Sequence, residues 1–207
     1  RQQMKMTYVI IGLVLIVGLA FYMTSCKNKS SADTNKLTGQ QVQDTTQLRK
    51  VDPKNNPYQD LRNLAFGATI EQIGVQFPAD QTKIYGVIMD WDLGEGTATL
   101  VAFLSGDASL YLSSGGGVIG GSGHDNVKKA AAAFINKAEK YLSKTVKTES
   151  TPLPGKDGVK FYFLTNKGKF VGQEEAKNFD NNSSTWLDLF EEGNKLITEI
   201  RIVSDMK

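Results

Sequence analysis

Three apolar runs, Lys83 to Trp91, Thr97 to Leu104 and Ala108 to Ser113, follow one another with only five and three residues between them. The connections, Asp92-Leu93-Gly94-Glu95-Gly96 and Ser105-Gly106-Asp107, are short and glycine-bearing. Turns of this kind join antiparallel strands, so the runs predict a β-meander. A second hairpin is expected after Pro152 to Gly158, with strands Val159 to Leu164 and Lys169 to Val171 about a turn at Thr165-Asn166-Lys167-Gly168.

Between these strands the apolar period changes. Over His124 to Thr145, Val127, Ala131, Phe134, Ile135, Ala138, Tyr141 and Leu142 fall on one side of a helix, and Lys128, Lys129, Lys137, Lys140 and Lys144 mostly on the other. Ser122 and Asp125 are its candidate caps. Leu61, Leu64, Ala65 and Phe66 predict a short opening helix, and Thr69, Glu71 and Gln72 a further helical turn. Gln173 to Asn182 reads as a polar loop. Thr185 with Asp188 then signals a closing helix along which Trp186, Leu189, Phe190, Gly193, Leu196, Ile197, Ile200 and Val203 recur. Alternation over Lys195 to Val203 also fits a strand; the longer periodicity favours helix.

The order β-β-β-α-β-β-α describes an α+β domain, an antiparallel sheet (three-strand meander plus hairpin) with the long helix and the C-terminal helix packed on it. It is similar to the roadblock and profilin-like arrangement in element order, a likeness that carries no function.

Composition narrows the functional classes. The 207 residues contain 24 basic and 22 acidic side chains, one histidine and one cysteine. Disulfide staples need paired cysteines and a structural zinc usually needs four Cys or His ligands, so neither is expected. The charge balance gives no reason to expect a nucleic-acid partner. It is also uneven: residues 1 to 58 carry eight basic and three acidic groups, a net of +5, against −3 for residues 59 to 207.

From Met6 to Cys26 no residue is charged, and Tyr8 to Tyr22 is apolar almost throughout. A helix apolar on every face is stable only where every face meets an apolar medium, which here means lipid. Met23-Thr24-Ser25-Cys26, at the end of this run, resembles the lipobox of bacterial lipoproteins. The resemblance covers the leader only. It implies export, cleavage before Cys26 and lipidation of its thiol; an uncleaved signal anchor is the alternative. Residues 1–26 are thus expected to be a signal peptide or membrane anchor. Residues 27–58, rich in Lys, Asn, Ser, Thr, Gln and Asp, are expected to be a flexible polar linker of about 30 residues with a mean span of roughly 30 Å, and residues 59–207 a single α+β domain.

Three local constellations are candidates for chemistry. Asp90, Asp92 and Glu95 form the best acidic cluster, with Asp90 and Asp92 on one face of a strand, and His124 is the only side chain whose ordinary pKa lies near neutrality. Together they define an acidic/His site of the kind an envelope enzyme would use. Gly115, Gly117 and Gly120 satisfy G-x-G-x-x-G and, with Ser122, suggest an anion site at the Gly115 to Gly123 loop. The antiparallel context lacks the βαβ unit a dinucleotide site requires, which leaves tight turns and close backbone packing as the simpler reading. No motif calls for a metal or cofactor. The expected function is that of a membrane-tethered domain outside the cytoplasm, in the cell envelope, that binds a partner; the acidic/His enzyme and the anion-binding loop are the alternatives.

Overall fold

The computed structural model describes residues 56–205 together with the short strand Arg49–Lys50. The apolar segment, Cys26 and the rest of the linker lie outside the described residues. The described residues fall within one compact unit.

The meander is present as β2 (Ile84–Asp92), β3 (Thr97–Phe103) and β4 (Ala108–Leu112), and the second hairpin as β7 (Gly158–Thr165) and β8 (Gly168–Glu175). Three further strands are β1 (Arg49–Lys50), β5 (Gly117–Ile119) and β6 (Val146–Thr148). Among the described residues they make one eight-stranded sheet in the order β1-β5-β4-β3-β2-β7-β8-β6. Every pairing is antiparallel. The helices are α1 (Tyr58–Phe66), α2 (Ile70–Ile73), α3 (Asp125–Ala138), α4 (Ala176–Asp180) and α5 (Leu187–Asp205). The fold is α+β.

The central strands are covered on both faces, which is why β2 reads as an unbroken apolar run and not as an alternation. On one face Val87, Met89 and Trp91 meet the layer of α3 and α5. Trp91 packs edge-on against Phe190 with ring centroids 5.0 Å apart. Gly193 lets α5 approach closely, because a Cβ there would stand 3.1 Å from Met89 and 3.4 Å from Phe134. On the other face Ile88, Val101, Tyr111, Tyr162 and Leu164 form a core with Tyr58 and Ala65 of α1, flanked by Ile70 and Ile73 of α2.

All eight apolar positions expected of the closing helix are buried, so helix and not strand forms there. Several boundaries differ from expectation. The long helix is regular only to Ala138 and tightens into 3-10 turns over Glu139–Lys144. His124 holds the cap position, without a side-chain cap hydrogen bond, and Asp125 is the first residue of the helix. The loop expected at 173–182 is instead the end of β8 followed by α4, which exists because Phe179 is buried and stacks on Phe190 at 4.2 Å. Arg49 and Lys50 pair with Ile119 and Val118, and α1 opens at Tyr58, whose ring is buried. Leu64, counted with the apolar face of α1, is 70% exposed.

Trp186 shows how one glycine shapes the helix-bearing face. Its indole stacks between Tyr141 and Phe161 at centroid distances of 5.2 and 5.3 Å. Beneath it lies Gly172 of β8, where any Cβ would collide with the indole ring.

Candidate functional site

Asp90 sits on a central strand with no exposed surface, and an ionised carboxylate there must find buried partners. Arg62, one helical turn after Tyr58 on α1, supplies them. Its Nη2 donates to Asp90 Oδ2 at 2.6 Å, and its Nε lies 3.3 and 3.2 Å from Oδ1 and Oδ2. Thr99, directly across the ladder on β3, donates its hydroxyl to Oδ1 at 2.6 Å. That hydroxyl has one hydrogen, so the 2.8 Å contact between Tyr58 and Thr99 must be donated by the phenol. Arg62 Nη2 also donates to the Thr151 carbonyl at 2.8 Å, and its guanidinium lies 4.7 Å from the Phe66 ring centroid.

The charges in this cluster shape its titration. Burial opposes the Arg62 charge, but hydrogen bonding and attraction to Asp90 outweigh it and hold the guanidinium above its ordinary pKa. Burial, reinforced by the Asp90 charge, pushes the Tyr162 phenol up to about 12. Tyr162 therefore stays a donor, to the Pro152 carbonyl at 2.5 Å. The cluster ties α1, β2, β3, β7 and the 149–157 segment together. Both carboxylate oxygens of Asp90 are occupied, so it is a fastening and not a free base or ligand.

The remaining acidic candidates lie elsewhere. Asp92 shares the face of Asp90 by strand alternation, but its Oδ2 accepts the backbone N–H of Asp157 at 2.8 Å. Glu95 is exposed in the β2–β3 turn. His124 precedes α3, which packs on the opposite face of the sheet from Asp90. The four residues expected to share a site are therefore not brought together, because the sheet stands between its acidic and imidazole members. Among the described residues no group of three or more His, Cys, Asp or Glu is placed to hold a metal ion.

The glycine loop has a structural use at each position. Gly115 and Gly116, both with positive φ, form the β4–β5 turn, in which the Gly115 N–H donates to the Leu112 carbonyl at 3.0 Å. Gly117 belongs to β5, and a Cβ there would collide with the Leu110 carbonyl. Gly120 has φ 80° and donates its N–H to Ser109 Oγ at 3.4 Å. Ser122 lies in a 3-10 turn leading to α3. The three glycines of the pattern are thus divided between a turn, a strand and a helix entry.

No family model, curated protein or solved structure matches this chain.

Sequence reasoning passed over Arg62, Tyr58, Thr99 and Tyr162. One signal pointed to them. An aspartate in the middle of an apolar strand demands a buried cation, and Arg62 and Arg201 are the only arginines after residue 50.

Proposed function

We propose that this chain is a membrane-tethered domain held outside the cytoplasm, which works in the cell envelope by binding a partner and carries out no covalent chemistry of its own. The observation that carries the reading is the uncharged run from Met6 to Cys26, closed by the only cysteine in the chain and followed by a polar stretch with a basic excess. A polar linker between that run and the folded domain suits a module displayed at a distance from its anchor.

Intact mass and fractionation of the membrane-extracted protein test this. Lipidation predicts loss of every residue before Cys26 and a gain of acyl chains, both abolished in Cys26→Ala. Anchoring predicts an unprocessed chain that resists carbonate extraction. In either case protease added to the periplasmic or outer side must reach the domain. An unmodified full-length chain in the soluble fraction, or a domain protected behind the inner membrane, overturns the proposal.

A further inference from the structure

Among the described residues the sheet ends at β6 (Val146–Thr148), which pairs with β8 on one side and has no strand beside it on the other. Such an edge presents outward backbone N–H and C=O groups to any chain that can lie along it. Its surroundings are selective. Val146 is 67% exposed on the same face as its partner Val171, and Lys147 is exposed on the other face. Lys147 lies over the β7–β8 turn, where a Cβ on Gly168 would stand 3.1 Å from its Cε. Lys169 pairs across from Thr148. Lys144, just before β6, donates to the Thr185 carbonyl at 3.3 Å and lies 5.0 Å from the Tyr141 ring centroid, while Lys167 in the β7–β8 turn reaches the Ala79 carbonyl at 2.5 Å. Among the described residues none of these four lysines forms an ion pair. The nearby carboxylates are Glu139, whose Oε1 accepts the Ile84 N–H, and Glu149, one residue beyond β6.

We propose that this edge is a docking site for an extended acidic segment of a partner protein, which adds to β6 as a ninth strand. Main-chain pairing provides the register, Val146 receives an apolar side chain on one face, and Lys147 on the other face pairs with carboxylates at alternate positions. Lysines on an edge commonly serve to prevent aggregation, and here the same charges choose the occupant. A second copy would set lysine against lysine. A lipid surface is disfavoured by placement, since the tether enters through β1 at the far edge, roughly 30 Å away across seven strand spacings. The inference rests on the reading of the domain as a binding module and on nothing about its anchor, so the peptide assay below and the membrane assay above fail independently.

The test uses the full chain in a neutral detergent and a fluorescein-labelled octapeptide of alternating Glu and Val, with binding read by anisotropy. Saturable binding is expected that weakens as salt rises. Methylating alternate peptide amides, or introducing Lys147→Glu, should each weaken binding at least tenfold, and a Lys/Val octapeptide should not bind. Circular dichroism should show the variant folded. Failure of the acidic peptide to bind overturns the proposal. So does equal affinity for the N-methylated peptide, which would mean a general anionic contact without strand pairing. Lysine-dependent binding to phosphatidylglycerol vesicles with no binding to the peptide overturns it in favour of a lipid surface.

Discussion

Arg62 and Asp90 are 28 residues apart and meet as a fully buried ion pair, with side chains 3% and 0% exposed and a closest approach of 2.6 Å. A pair of this kind adds little net stability over an apolar replacement, yet losing one partner strands the other charge in the core. Its structural effect is to fix where α1 lies. The carboxylate accepts from a helix and a neighbouring strand together, so a helix shifted along the sheet would lose the Arg62 bonds and leave Asp90 with Thr99 alone.

Arg62→Ala should therefore destabilise the domain by about 3–5 kcal/mol, read by chemical denaturation. The double variant Arg62→Met/Asp90→Asn removes the charge with its partner and leaves an amide able to accept from Thr99. It should recover most of the loss. A double variant no more stable than Arg62→Ala would show that the pair matters for packing and not for charge compensation.

Gly172→Ala should cost more than its one methyl group suggests. The new Cβ meets the Trp186 ring, which is fixed between Tyr141 and Phe161 and has nowhere to move. Overpacking of this kind costs roughly 1–3 kcal/mol. A loss of tryptophan near-ultraviolet circular dichroism should accompany it, and an unchanged spectrum with unchanged stability would contradict the packing described.

Glu174 predicts an acid sensitivity. Its partial burial works against the charged form, but hydrogen bonds from Asn178, the Glu175 N–H and Ser184 prevail and hold its pKa below the ordinary glutamate value. A lowered folded-state pKa means that the unfolded chain takes up the proton first as pH falls. The contribution is present above the ordinary glutamate range near pH 4.3–4.5 and is lost as pH drops through the folded value. Glu174→Gln should lower stability at pH 7 by about 1 kcal/mol and flatten the dependence below pH 5. Parallel curves for the two proteins between pH 5 and 3 would contradict this.

The elements that were legible in the sequence are those with a long period or a short turn. The β2–β3–β4 meander and the closing helix occupy nearly their expected ranges, because many residues in each contribute to one pattern. The strands that the sequence did not predict, β1, β5 and β6, are two or three residues long, and β5 opens with a glycine of the G-x-G-x-x-G pattern. A strand of that length has no period to read and exists only because a neighbour supplies its ladder. Phe179 made the same point in the polar stretch 173–182, where one buried ring brought order to a segment that composition assigned to a loop.

The candidate site divides in the same way. Strand alternation puts Asp90 and Asp92 on one face, since that depends on the backbone alone. It said nothing of which helix would cover that face. Amphipathic patterning determined that this chain builds a sheet with helices on it; only the tertiary structure decided that α1 would bring Arg62 to Asp90 while α3 carried His124 to the opposite side. Periodicity specifies that a surface is to be buried, and the choice of what buries it depends on contacts between residues far apart in the chain, which a local pattern does not encode.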